Sequence, residues 1–416
     1  MCKWLVILSL QLPFVARAQN TEFAFSYEAY LFAEQRAYAD SFLNLGNEVL
    51  MVPDTAGILD QRAEFKWLIN DAKIIFRPRI VSYQQNYKTE QTLKEETQSD
   101  SDINLTDAFY EQYITDRIFT TVGLQVYQWG PAEILNPSNP FFHFNTNQRS
   151  LVYKEKGKAL LRLNWNAKAD DSFVFMVEPV SNNETHWIAE EKFKPQVAGK
   201  LETAWTGTRN FLGFALGIPN NADFFIGEYF QYEFIEGFSI YADAKHDVNT
   251  FFYEPQTQGL FERMLPRNQD GVVSTLAVGG LRYEDTFDVR LEYIYNSAGY
   301  DQKTFDQALI ASSQLSPFLL ENLVRFQASG LELLSQNYVY FSLRKTDPFE
   351  IKDLSLFFRS LTSLMDSSGV EQFEFDKSVL DWANIFGQYS AYRGEQDSEF
   401  KLVDDWKVSA GAKFIY

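Results

Sequence analysis

Cysteine is nearly absent: one in 416 residues, Cys2, at the extreme N-terminus. No disulfide can therefore staple the chain, so hydrogen bonding and packing must hold it. Histidine is almost as scarce, with three. His143, His186 and His246 sit at no metal or catalytic spacing, no H-E-x-x-H helix is present, and there is no G-x-S-x-G elbow. The acidic pairs Glu95-Glu96, Asp170-Asp171 and Asp404-Asp405 read as loop or turn residues, giving no reason to expect a metal, a cofactor or an enzyme. A Ser-His pair assembled through space stays open. Positive charge is also short, with Lys+Arg 37 against Asp+Glu 56 and a net charge of −19. That balance argues against nucleic acid, which needs cations to neutralise phosphate.

Long hydrophobic runs are missing too, apart from the first residues. Lys3, the apolar stretch Trp4 to Val15, and Ala16-Arg17-Ala18 have the order of a secretory signal, with cleavage expected after Ala18. The alternative is a buried N-terminal helix. Cys2 lies too early to follow a full apolar region, so a lipoprotein anchor is not expected. The expected organisation is thus 1–18 signal peptide and 19–416 one domain. Beyond it, nothing approaches the roughly 18 to 20 apolar residues of a membrane helix.

What is abundant is aromatic residues, 38 Phe and 22 Tyr, in a chain whose mean hydropathy is −0.27. Many aromatics without continuous apolar runs suit a transmembrane barrel, where lipid-facing and lumen-facing residues alternate between aromatic girdles. A soluble all-β protein is the competing reading. Period-two alternation supports strands throughout: Phe23 to Leu31, Ile58 to Ile69, Ala72 to Asn86, Thr106 to Thr115, Arg117 to Gln128, Lys158 to Lys168, Ser172 to Val180, Pro195 to Trp205, Phe211 to Ile218, Asp223 to Glu233, Phe238 to Asp247, a hairpin over Val272 to Ala298, Asn337 to Lys345, Glu350 to Leu361 and Asp405 to Tyr416. These make sixteen strands, with fourteen or eighteen acceptable.

Short connections at Asn70, Thr115, Ala169, Gly207, Gly237, Asp285 and Asp347 alternate with longer ones. Tyr87 to Leu105 reads as a solvated loop, as does Val248 to Asp270. Thr304 to Ser335 reads as a loop containing a helix, and Thr362 to Asp404 as a long segment with a short helix near Val379 to Phe386. The fold class is all-β: a transmembrane antiparallel barrel of about sixteen strands with long external loops. In such a barrel charges point inward, which places Glu28, Arg162, Lys200, Glu202, Arg290, Glu292, Lys407 and Lys413 in the lumen. Leu160 and Ile294 are apolar intruders on those polar rows.

In the terminal strand, Trp406, Val408, Ala410, Ala412, Phe414 and Tyr416 share one face. An apolar row ending on an aromatic at the C-terminus resembles the closing strand of bacterial outer-membrane barrels. That resemblance implies pairing with the first strand, both termini in the periplasm, and recognition of Phe414 and Tyr416 by the barrel assembly machinery. Between the fifth and sixth strands lies Gln128 to Phe144, with Trp129-Gly130, Leu135-Asn136-Pro137 and Pro140. Its prolines forbid a central strand, so it is an ordered connection. Its spelling, leading into Gly157, Ala159, Leu160, Leu161, Arg162 and Leu163, is similar to porin-like families of outer-membrane proteins.

As the third external loop, 129–156 corresponds to the one that general porins fold into the lumen as a constriction. Trp129, Glu133, Asn136, Asn139, His143 and Arg149 are then candidate lumen contacts, beside the inward residues above; packing of Trp129 and the Phe cluster against the wall is the alternative. The resemblance implies a passive channel for small hydrophilic solutes or ions, embedded in outer-membrane lipid and lipopolysaccharide, with a homotrimer common among sixteen-stranded porins. A plugged, partner-binding barrel and a transporter of hydrophobic molecules are the other readings. The net charge suggests mild cation preference.

Overall fold

In a computed structural model the described residues are 21–416, apart from 42–43, 49, 89–94, 143–155, 169, 181–193, 220–221, 250–251, 259–260, 268–270 and 314–332. The expected signal, His143, His186 and Arg149 lie outside them. Strands dominate: β1 Thr21–Tyr38, β2 Thr55–Ile69, β3 Ala72–Lys88, β4 Glu95–Thr115, β5 Ile118–Gln125, β6 Lys158–Asn166, β7 Asp171–Glu178, β8 Gln196–Ala204, β9 Phe211–Ile218 and β10 Phe224–Ile235. They continue with β11 Phe238–Val248, β12 Phe252–Gln258, β13 Phe261–Arg267, β14 Val273–Glu284 and β15 Asp288–Asn296. After helix α1, Gln302–Ser313, come β16 Asn337–Thr346, β17 Leu354–Ser363, β18 Gly369–Leu380, β19 Ala383–Arg393 and β20 Asp404–Ile415.

Eighteen of these form one antiparallel sheet, and β12 pairs only with β13. The sheet closes where β20 meets β1, from Glu28 opposite Ile415 to Tyr38 opposite Asp404, with Tyr27 and Tyr416 exchanging backbone bonds of 2.9 Å. Closure leaves no edge to satisfy, the condition for spanning lipid with strands. Tight hairpins turn on left-handed residues such as Asn70, φ +51°, and Gly237, φ +77°, conformations that Asn and Gly reach most easily.

The count corrects the sixteen expected. Residues 362–404 hold β18 and β19, and the helix expected near Val379 to Phe386 is instead the turn between them. Tyr87 to Leu105 is largely strand, with β3 running to Lys88 and β4 starting at Glu95. The loop over Val248 to Asp270 carries the β12–β13 hairpin. Of the helical segment, α1 is described, beginning slightly earlier than expected.

The faces follow the alternation. Phe23, Leu31, Leu161, Trp165, Phe214, Leu216, Leu291 and Tyr293 are exposed outward, while the odd-even partners of these residues point inward. All eight residues expected in the lumen lie on the inward rows. The apolar rows therefore face outward, and the eight charged residues named above face the interior.

Candidate functional site

After β5 the chain leaves the sheet at Gln125, and the described part of the connection, 126–142, turns into the barrel. Local side chains shape it. Asn136 Oδ1 accepts from the Ala132 N–H at 3.1 Å. Asn139 Oδ1 accepts from the N–H groups of Phe141 and Phe142 at 3.1 and 3.0 Å, and its amide donates to the Tyr127 carbonyl at 3.1 Å. Asn is suited to this because its short amide substitutes for backbone partners in turns. Both residues are buried, so their amides are committed to holding the loop.

Two apolar clusters flank the loop. On one side Trp129, Phe141 and Phe142 pack with Leu160, Val174, Met176, Ala198, Ala215, Phe225 and Tyr229. On the other, Ala132, Ile134 and Leu135 pack with Tyr241, Val278, Ile294, Tyr338, Tyr340 and Leu361. Leu160 and Ile294, the intruders on the polar rows, are 2 % and 0 % exposed. They are inward positions whose neighbour is the loop rather than water.

Polar anchors fix the loop between these clusters. Ser138 donates its N–H and its hydroxyl to the two oxygens of Asp243, at 2.6 and 2.9 Å, and Trp129 Nε1 donates to Ser138 Oγ at 3.0 Å. Gly227 permits the approach, because a Cβ there would stand 2.9 Å from Ser138 Cα. The Glu133 N–H donates to Glu292 Oε1 at 2.7 Å, the oxygen that also accepts from the Tyr241 hydroxyl at 2.7 Å. Tyr241 reaches it by lying over Gly280, where any side chain would collide with its ring. The Glu133 carboxylate accepts from Ser342 at 2.7 Å and lies 3.4 Å from Arg290. Asp243 and Glu292 are fully buried, and removing such a partner strands buried donors at about 1–3 kcal/mol each.

The remaining candidates split by position. Lys200 bonds Glu202 at 3.0 Å beneath the rings of Tyr127, Trp129 and Tyr229, and the Tyr229 hydroxyl donates to Glu202 at 2.6 Å. Arg162 lies 4.2 Å from the Tyr127 ring centroid and 3.8 Å from Glu111. These residues and Trp129 gather at the loop's root.

Running on from the root at Glu111, the inner face of β4, β3, β2, β1 and β20 is a ladder of ion pairs. Lys407 and Arg36 meet Glu34, and Lys413 meets Glu28 at 2.8 Å. Arg62 and Arg79 share Asp60 at 2.6 and 2.8 Å, and Arg77 joins Glu64 and Asp107 at 2.6 and 2.8 Å. Lys73 lies 3.6 Å from Glu111. Asp60, Arg79 and Asp243 were not singled out from sequence; their only signal was inward parity. Among the described residues no cluster of His, Cys, Asp or Glu could hold a metal.

No family model and no curated protein matches the chain. Among solved structures it is similar to Pseudomonas aeruginosa OpdK with vanillate: TM-score 0.54, 8 % identity, 96 % of this chain and 99 % of that one. It is also similar to Acinetobacter baumannii OccAB1, with TM-score 0.53, 8 % identity and coverage of 95 % and 96 %. P. aeruginosa OccK2 (OpdF) in complex with glucuronate matches at TM-score 0.50 and 9 % identity, covering 95 % and 98 %. These are outer-membrane porins. The chain has their fold. At such low identity the likeness is one of architecture.

Proposed function

We propose that the protein is an outer-membrane channel for passive diffusion of small hydrophilic solutes or ions, with both termini periplasmic and the connection 129–156 narrowing the lumen. The observation that carries this reading is the loop itself, bonded to Asp243, Glu292 and Ser342 on one part of the inner wall while the opposite part carries a ladder of ion pairs. A polar interior with a wall-anchored constriction is the arrangement through which selectivity is set by lining charges.

The ladder also bears on selectivity. Glucuronate and vanillate, present in two of the similar structures, are carboxylates. Here Arg36, Arg62, Arg77, Arg79, Lys73, Lys407 and Lys413 each already have a carboxylate of this chain within 4.0 Å. Paired cations offer little net field, so we propose weak charge selectivity with a mild preference for cations rather than a carboxylate-specific route. Purified protein in planar bilayers should give stable single-channel steps, and a salt gradient should give a small reversal potential of cation-selective sign. Silence under all conditions would remove the channel reading.

The two apolar clusters around the loop favour a second reading, a plugged barrel that binds a partner. Conductance separates the two, because a plug filled on both sides passes no ions.

A further inference from the structure

On the outer face of β5 to β11 and β14 to β16, apart from the turn ends, the outward rows carry no carboxylate, imidazole or cation except at one place. Glu228 points outward from β10 between Ile226 and Phe230, its side chain 47 % exposed. His246 of β11 and Thr275 of β14 stand beside it: Glu228 Oε1 is 3.3 Å from His246 Nε2, and Thr275 Oγ1 is 2.9 Å from His246 Nδ1. Both imidazole nitrogens are engaged. What the group presents outward is the second oxygen of Glu228, an acceptor. Ile218, Phe224 and Val273 are exposed nearer the long-loop end, so the carboxylate lies within an apolar surface. Lipid chains bring it no donor, and an ionisable residue so placed is by default a functional site.

The cross-strand row through Glu228 runs on to Ala244, Ala277 and Tyr295. Tyr295 is 40 % exposed, and its hydroxyl is a donor on the same outer face. The neighbouring row repeats the sizes: Phe230, Ala242, Gly279, Tyr293. At Gly279 a Cβ would meet no atom within 4 Å. Two ridges, one bearing an acceptor and the other a donor, thus border a trough of small side chains.

We propose that this face is covered by a second copy of the chain in a two-fold dimer. Under a two-fold axis along the barrel, the β10 ridge of each copy enters the trough of the other, and Glu228 accepts a hydrogen bond from Tyr295 of the partner subunit. The acceptor left open in one chain is completed by the other. An isologous contact needs one patch complementary to itself, whereas a three-fold ring needs two different patches that fit each other. Acceptor, trough and donor in succession satisfy the first requirement, which favours a dimer over the trimer implied by resemblance to general porins. The proposal rests on the barrel lying in a bilayer and not on solute passage.

The test uses the full chain with Cys2→Ser and single cysteines introduced in turn. Oxidation in the membrane should cross-link Ala244→Cys on β11, the strand nearest the two-fold axis, to a dimer, and Leu31→Cys on β1 should stay monomeric. In detergent the native mass should be that of two chains. Gly279→Phe, which fills the trough, should abolish the dimer while the barrel keeps its folded gel mobility. Tyr295→Phe should weaken association about a hundredfold, since the two-fold axis makes it remove two hydrogen bonds to charged groups at about tenfold each. A monomer at all protein concentrations, a trimer, or a monomer holding lipid on this face would overturn the proposal. A dimer that passes no ions would leave it standing and remove the channel instead.

Discussion

The two halves of the barrel wall are built differently. Strands β5 to β9 are 8 or 9 residues long, whereas β1 to β4 have 18, 15, 17 and 21. At roughly 3.3 Å per residue and a tilt near 40°, eight residues rise only about 20 Å, against an apolar band of about 25 Å. The short half barely spans, and the tall half projects well beyond. Their inner faces differ in the same sense. The short half meets the loop through Leu160, Val174, Met176, Ala198 and Ala215 and keeps only a few charges, Lys158, Arg162, Glu178, Lys200 and Glu202, while the tall half and β20 carry the ion pairs from Lys407 to Lys73. If the barrel conducts as proposed, the path runs along the ion-pair side, since the loop packs on the other; the loop leaves from the low rim.

The largest effect should come from emptying the loop side. Deleting Pro131 to Pro140 removes Ala132, Ile134 and Leu135 from one cluster together with the Glu133 and Ser138 anchors, leaving Trp129, Phe141 and Phe142 on the wall, and single-channel conductance should rise severalfold. An unchanged conductance would show that the loop does not set the narrowest point. Next, Leu160→Ala removes a fully buried contact between wall and loop and should cost about 2–5 kcal/mol, read from the midpoint of denaturant unfolding. Asp243→Ala leaves the Ser138 N–H and hydroxyl without their acceptor, at about 1–3 kcal/mol. Since it frees the loop without altering the wall's apolar surface, it should also increase current noise.

The charged half is probed more gently. Asp60→Asn leaves Arg62 and Arg79 without their shared carboxylate, and the reversal potential should move toward anions. Arg79→Gln should move it the other way. Equal shifts from both, or none, would place the conducting path elsewhere.

How much of this was legible depends on what each row faces. The terminal strand and its pairing partner were readable because Trp406 to Tyr416 alternate apolar and polar with Ile415 as the one exception. β18 and β19 were not, because their outward rows are weak. β19 presents Ala383, Ile385, Gly387, Tyr389 and Ala391, and Gly387 is covered by the ring of Phe375 rather than by a side chain of its own. The turn between them, Asp381-Trp382, has neither Gly nor Pro. The upper part of β4 escaped because above the apolar band both faces meet water, so Glu95 to Asn104 have no alternation to show. For the site, prolines and asparagines marked the loop as ordered, and Leu160 and Ile294 marked where it docks. Asp243 carried no signal, since one carboxylate on an inward row looks like any other until a loop backbone is laid against it.

The smallest effect belongs to the long-loop end, at α1 between β15 and β16. Asp301 caps this helix: its Oδ1 accepts from the Thr304 N–H at 2.7 Å and its carbonyl from the Phe305 N–H at 2.9 Å. The Thr304 backbone bond holds the Asp301 carboxyl below the ordinary carboxylate value. A carboxyl depressed on folding contributes stability that is present above its unfolded value, near 4, and is lost as pH falls through the lower folded value. Amide exchange in α1 should therefore quicken below about pH 4 while the barrel strands stay protected. Asp301→Asn keeps an acceptor and should remove that pH dependence, and Asp301→Ala should loosen the helix by about 1 kcal/mol above about pH 4 and by less below it. If the strands of the charged half opened together with α1, the helix would be part of the wall's own cooperative unit, and the division between the two halves would not extend to the mouth.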